Sequence, residues 1–476
     1  MKNTFKRITA LLVSAILMLS VLTACGGEAP TLISFLGASS DKIDYDGMKF
    51  VLADTRSSED ESLLVYKANT NFYDLALQRF ADVEEAFNCE IERKYISADS
   101  KIILADIVGG ARKYDILYTW HEPIQLLSRG KALTPVYDYR DIVDLSDFNK
   151  YGTSTIQEAN AYGGEIYAVS PQSWLYNQPT ALDMIAFNLD LVEKYGKTNP
   201  REFIENGTWN WDALEMVVSD YYVKDGDKEV YSIAFRALDM LKLLCLGNGV
   251  KFTYKDSNGE LRSDFGGANM LEAVNFYNRV FSENADKLPL KFSGEIDWGE
   301  VSDAFITQQN TMAGLTTASY IYNDIAYKIE NYVVMPFPTG PRGEYGVWPA
   351  IIEGMDGYTV PITCEDKEAA FRLIDAFCEP LEGYETEESR IEFLAENVVF
   401  DPIDAEIALT AHKNGTYSYW KADVGNFGPD LFWRKLAENP GADKTARVIG
   451  QYEDKYNTAI ANYMTPNLEI EKYFND

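Results

Sequence analysis

Histidine is nearly missing from this sequence of 476 residues, which holds only His121 and His412. His121-Glu122 has no second histidine one helical turn further on, so the zinc-protease motif is excluded. No G-x-S-x-G nucleophile elbow occurs either. Gly196-Lys197-Thr198 has the ending of a phosphate-binding loop, but Leu191 stands where the first glycine of that loop belongs. Basic residues are scarce: 43 Lys and Arg face 74 Asp and Glu, for a formal charge of -31. So acidic a chain argues against nucleic acid and anionic membrane surfaces as partners. With so many carboxylates, chance pairs are certain, and none by itself argues for a glycosidase. Cysteine is sparse as well. Beyond Cys25 there are Cys89, Cys245, Cys364 and Cys378, whose possible pairings the sequence cannot rank, so disulfides and buried free thiols both stay open. After the first segment no stretch approaches the roughly 18 apolar residues of a membrane span. Internal repeats and low-complexity blocks are lacking.

What is present begins with Lys2, Lys6 and Arg7, followed by an apolar run from Ile8 to Leu22. That is the pattern of an export signal, too short and wrongly flanked for a transmembrane helix. The run ends in Leu22-Thr23-Ala24-Cys25, before Gly26 and Gly27. It resembles the bacterial lipobox, whose cysteine is lipidated; a buried structural thiol is the alternative for Cys25. On the lipobox reading residues 1–24 are a signal peptide and residues 25–46 a lipidated cysteine with a flexible tether. The protein is then expected outside the cytoplasm, anchored by acyl chains only. Roughly 430 residues remain, enough for two or three domains with substantial cores. A content of 46% hydrophobic and 25% charged residues describes a folded globular protein.

Lys49 to Ala53 reads as a strand, and Phe72, Leu75, Ala76, Phe80, Val83 and Phe87 recur at helical spacing. Cys89 to Ile96 alternates as a strand, Lys101 to Val108 forms a helix closed by Gly109-Gly110, and Tyr114 to Tyr118 is a short buried strand. This alternation predicts an α/β lobe with a mainly parallel sheet. Further on, Thr208-Trp209-Asn210 opens a helix carrying Trp211, Leu214, Val217 and Val218 on one side. Met270 to Phe281 and Ser302 to Gln308 are predicted helices, and Tyr332 to Met335 a strand running into the Pro336 to Pro341 turn. A helix starting at Thr363 to Asp366 carries Ala370, Phe371, Ile374 and Phe377 on one face, with Pro380 as its stop.

Five patches, in this order, resemble the family 1 extracellular solute-binding proteins, which include the maltose-binding type. They are Tyr114 to Trp120 with Leu126 to Pro135; Tyr162 to Pro171; Ala186 to Leu191 with Tyr195-Gly196 and Thr208 to Leu214; Val334 to Pro341; and Gly354 to Phe377. The likeness spans about Lys49 to Cys378. It implies an α/β, two-lobed periplasmic-binding-protein-like fold (type 2), with a ligand cleft between lobes joined by hinge crossings. Crossings are expected near Ile166, near Pro338 and at Val398 to Pro402. The lobes would comprise residues 47–165 with 338–398, and residues 166–337 with 399–476. The implied function is capture of a small polar solute, a carbohydrate or oligosaccharide before others, and its delivery to an ABC transporter permease. A monomer without cofactor or metal is expected, and not an enzyme. A secreted carbohydrate-active enzyme, or a receptor serving a sensor kinase, are the alternatives.

Trp120, His121 and Glu122 follow directly on a strand that should end at the cleft. An indole covers the apolar face of a pyranose, and a neighbouring carboxylate accepts bonds from its hydroxyls. A packed Trp at a capped strand end is the other reading. Gln172, Ser173, Trp174 and Tyr176 follow the first crossing, where extra residues between Pro171 and Phe187 depart from the family pattern; Trp174 and Tyr176 are the candidates there. Trp348 and Asp356 bracket the return into the first lobe and are likewise candidate ligand contacts. Arg236, after Ala234-Phe235, reads first as a surface ion pair, with a reach into the cleft as the alternative, and Trp209 and Trp211 read as packing residues. Oligosaccharide-binding relatives carry a Trp shortly after the position of Met312. Here Ala313-Gly314-Leu315-Thr316-Thr317 follows instead, which argues against a specific maltodextrin ligand.

Overall fold

The computed structural model describes residues 43–56, 62–63, 66–67, 71–158, 160–170, 181–258, 260–289, 298–352, 356–380, 385–411, 416–417, 429–438, 442–464 and 470–474. Cys25, Trp174, Tyr176 and His412 lie outside these residues. Packing begins at Ile43 and Tyr45: the Tyr45 ring stacks on Phe87 at 5.7 Å, and its backbone N–H donates to the Phe87 carbonyl.

The first sheet has four strands in the order Gly357–Thr359, Ile116–Thr119, Met48–Asp54, Cys89–Tyr95. Met48–Asp54 pairs in parallel with both neighbours, while Gly357–Thr359 arrives from far along the chain and pairs antiparallel with Ile116–Thr119. Parallel neighbours need a crossover; the helices Asn71–Phe87 and Ser100–Val108 supply it. Phe80, Val83 and Phe87 fill one side with Phe50, Leu52, Phe371 and Phe377. Ile103, Ile107, Ile124 and Leu127 fill the other. Arg79, buried, donates to the carbonyls of Ala376, Glu379 and Pro380 and so satisfies the end of the helix Lys367–Phe377.

The second sheet has five strands in the order Val223–Asp225, Lys228–Ala234, Thr311–Thr316, Met184–Asn188, Tyr332–Pro336. The last three are buried at every residue, so they read as continuous apolar runs rather than alternating ones, as strands covered on both faces do. Helices Trp211–Asp220, Ala237–Gly247, Ala268–Glu283 and Ala442–Met464 build the surrounding layers. Asn210 caps the first of these by accepting from the N–H groups of Asp212 and Ala213. Trp209 is fully buried and donates its indole N–H to the Pro336 carbonyl at 2.6 Å. The predicted helix at Ser302 to Gln308 differs: Asp303–Thr307 is a π-turn, closed by Gln308 N–H on the Asp303 carbonyl. The wider turn brings three successive side chains, Ala304, Phe305 and Ile306, into the core.

Gly314 lies in that core with no room to spare, since a Cβ there would stand 2.7 Å from the Phe305 ring. Gly314→Ala is expected to cost about 1–2 kcal/mol of stability by overpacking, read from chemical denaturation midpoints at constant slope.

A third, small sheet includes chain that links these two. Ile351–Ile352 is its centre, antiparallel to Ala181–Leu182 and parallel to Thr416–Tyr417. Two of the connections between the large sheets, the chain entering Met184 and the chain leaving Pro336, thus run side by side as paired strands. The last described turn, Glu471–Tyr473, packs on the first-sheet side, where Tyr473 Oη accepts from Ile166 N–H and donates to Glu165. Cys89, Cys245, Cys364 and Cys378 are free thiols.

Candidate ligand-binding site

Because Met48–Asp54 and Ile116–Thr119 are parallel neighbours, their carboxyl ends open on the same edge of the sheet. In open α/β sheets that edge is where ligands bind. Here it gathers Asp54, Thr55 and Arg56 from one strand end, Thr119, Trp120 and Glu122 from the other, and Asp356 from the returning chain.

Arg56 organises the group. Its Nε donates to Asp356 Oδ2 at 2.9 Å, and its guanidinium carbon lies 5.4 Å from the centre of the Trp120 ring. Trp120 Nε1 donates to Glu122 Oε2 at 3.3 Å. Beneath them Thr55 Oγ1 donates to Thr119 Oγ1 at 2.7 Å, and Asp54 turns the backbone by accepting from Arg56 N–H. Asp356 is held from behind: Ser170 Oγ donates to its carbonyl, and Asn160 donates to that hydroxyl. Gly357 permits this, since a Cβ there would press on Ser170 and on the Val169 carbonyl at 3.1 Å.

Asp356 is only 7% exposed, and burial pushes its carboxyl above the usual range while Arg56 pulls it back. The charge on Asp356 in turn holds the Arg56 guanidinium more firmly protonated. Glu122 is exposed, so the group offers one buried and one open carboxylate, a fork of donors and an indole. Hydroxyls can donate to the carboxylates and accept from the guanidinium while an apolar ring face meets the indole. In Arg56→Ala the Asp356 carboxyl is expected to titrate higher than in the parent protein, because its counter-charge is gone. Carbon-13 titration of the Asp356 carboxyl checks this, and an unchanged value would show that Arg56 is not its counter-ion.

The structure therefore brings together three of the expected residues, Trp120, Glu122 and Asp356. His121 faces inward on the first turn of the helix His121–Arg129, buried, with Nε2 3.9 Å from Glu122 Oε1. Trp348 stands elsewhere, half-buried against the second core with its ring edge-on to Tyr345 at 5.2 Å. Arg236 is not a surface pair: its Nε lies 3.3 Å from Asp239 Oδ2, and Lys242 Nζ reaches the other Asp239 oxygen at 3.2 Å, with Asp239 and Lys242 fully buried. That cluster begins the helix Ala237–Gly247 at the carboxyl end of Lys228–Ala234. Sequence reasoning missed Thr55 and Arg56, which follow closely on the strand read at Lys49 to Ala53. The signal available was the one used for Trp120, a polar residue directly after a buried strand. Among the described residues no group of three or more His, Cys, Asp or Glu is placed to hold a metal, and no helix is long and apolar enough to cross a membrane.

The fold is that of the two-lobed solute-binding proteins. A Listeria monocytogenes ABC substrate-binding protein, solved in complex with cycloalternan, superposes with a TM-score of 0.61 at 14% identity, covering 87% of this chain and 99% of its own. A sugar transporter protein of Rhizobium etli in an open conformation gives 0.62 at 13% identity, over 86% and 99%. The GacH receptor of Streptomyces glaucescens, described unliganded and with acarbose, gives 0.59 at 13% identity, over 87% and 99%. Neither protein-family models nor curated protein sequences match the chain.

Proposed function

We propose that this protein is an extracytoplasmic solute-binding lipoprotein, a receptor and not an enzyme, that captures a carbohydrate and delivers it to an ABC transporter permease. The observation that carries the reading is the Arg56–Asp356–Trp120–Glu122 group at the carboxyl ends of two parallel strands. An aromatic face flanked by charged forks is the chemistry of polyhydroxyl recognition. The structures that share the fold support it, since those named above are described with cycloalternan, with acarbose or as a sugar transporter. Trp174, Tyr176 and Trp348 remain proposed contacts from the sequence. The lobes are proposed as residues 47–165 with 338–398 and residues 166–337 with 399–476, the closing turn Glu471–Tyr473 reaching back to the first-sheet side. Closure about the paired strands Ala181–Leu182 and Ile351–Ile352 would bring the two faces of the cleft together. Lipidation of Cys25 would keep the monomeric receptor at the membrane; Cys25→Ala should release it into the medium or periplasm, read by fractionation.

The decisive experiment is thermal unfolding of residues 26 onward against mono- and oligosaccharides, with amino acids and peptides as controls. A ligand at 100 times its Kd adds about 2.7 kcal/mol of stability. A saturable shift by one sugar class without product formation supports the receptor reading. Silence from every sugar would shift the assignment to peptides or other solutes, and consumption of a sugar would make the protein an enzyme.

A further inference from the structure

Away from the strand ends that carry Arg56 and Trp120 there is a cavity of about 490 Å³. It lies between the start of the helix Trp211–Asp220, the middle of the helix Ala268–Glu283 and the turn at 339–345. Its size is that of a small-molecule site. We propose that this cavity is a second saccharide-binding site, distinct from the one at Trp120 and suited to a neutral sugar unit.

One arginine lines the cavity, Arg279, and it is already matched by forking onto Glu215, with Nη2 to Oε2 at 2.8 Å; the wall residue Glu272 is matched in turn by Arg342 Nε at 2.6 Å. Matched forks leave no strong net attraction for an ion. They still present donors and acceptors to neutral hydroxyls, as do Asn275 and the exposed carboxylate of Asp212. The apolar part is aromatic. Trp211 and Phe276 stack at 4.4 Å to form the floor, and Tyr345 stands 45% exposed at the rim, held edge-on by Trp348. Polar planar groups around an exposed ring suit a pyranose, whose faces are apolar and whose edge is all hydroxyl.

A second observation points to a ligand independently. Trp211 is only 5% exposed, yet its indole N–H has no hydrogen-bond partner among the described residues. A buried donor without an acceptor costs about 1–3 kcal/mol, so an acceptor brought to it would be stabilising. The indole edge beside that N–H faces Gly340, another residue of the cavity wall, where a Cβ would come within 2.8 Å of Cε2 and Cζ2. The backbone here is shaped around the indole without capping its donor. That donor is itself closed off from the open cavity, so a sugar hydroxyl or ring oxygen reaches it only where the turn at Gly340 gives way.

The test uses the mature protein with maltotetraose and mannotriose as probes, followed by ligand-observed NMR and by stoichiometry from equilibrium dialysis. Asn275→Trp fills the cavity from an exposed helix position, and Tyr345→Ala removes the rim ring; unchanged melting temperatures show that both fold. At least one probe is expected to bind at a site that each variant weakens tenfold or more and that Trp120→Ala leaves intact. Binding that ignores both variants and vanishes with Trp120→Ala would overturn the second site while upholding the first. Binding lost only in Asn275→Trp and Tyr345→Ala would uphold the second site and overturn the first. No binding of either probe to the parent protein would overturn this proposal.

Discussion

Replacing Trp120 with Ala is expected to weaken saccharide binding by roughly 1–3 kcal/mol, about 5- to 150-fold, without unfolding the protein. The ring sits at the start of the helix His121–Arg129, half-buried and outside the hydrophobic cores, so little packing depends on it. Its indole N–H is spent on Glu122, and the Arg56 guanidinium lies over its face. Loss of the ring therefore removes three things at once: the stacking surface, the restraint on the open carboxylate and the cation–π support of Arg56. Trp120→Phe keeps only the apolar surface and should fall between parent and alanine variant. Calorimetric titration with the sugar found by thermal screening measures both. Unchanged affinity in Trp120→Ala would remove this residue from the site, and with it the main reason for placing the ligand at these strand ends.

Much of this arrangement could be read from residue order. In the first lobe the helix Asn71–Phe87 follows from the spacing of Phe80, Val83 and Phe87, and the strand Cys89–Tyr95 from its alternation. The fully buried strands Thr311–Thr316 and Met184–Asn188 are less readable, since a strand covered on both faces has no alternation to show. Asp303–Thr307 was predicted as an ordinary helix; three consecutive buried residues force the wider π-turn, and no local pattern separates the two. Trp120, Glu122 and Asp356 were visible as polar or aromatic residues at strand ends. What the sequence could not reveal was the hub: Arg56 meets Asp356 across 300 positions of chain, a juxtaposition that only the sheet order creates. For Arg236 the sequence suggests a surface pair because nothing local records that Asp239 and Lys242 are buried with it.

Asp183→Asn is expected to make the protein more stable than its parent at pH 8 and to flatten the dependence of stability on pH. Asp183 lies between Ala181–Leu182 of the small sheet and Met184–Asn188 of the second lobe, and its carbonyl accepts from Phe337 N–H, tying two connections together. Its side chain is 2% exposed, and Oδ1 has no hydrogen-bond partner among the described residues. Burial pushes this carboxyl well above its ordinary value, so the folded protein holds its proton more tightly than the unfolded chain does, and a charge there would also push the buried Tyr322 phenol higher. The unfolded chain ionises near pH 4. Between that value and the raised one, the folded state binds a proton that the unfolded state does not. Stability from this group is thus fully present below about pH 4 and is lost as pH rises, by about 1.4 kcal/mol per pH unit while the difference lasts. Asparagine carries no charge at any of these pH values, so the gap between variant and parent should widen in the variant's favour from pH 4 to pH 8. Urea denaturation at several pH values measures the gap directly. Parallel pH profiles would mean that Asp183 is ionised and paired in the folded protein. A widening gap would mean that Asp183 holds its proton in the folded protein and gives it up when the chain unfolds.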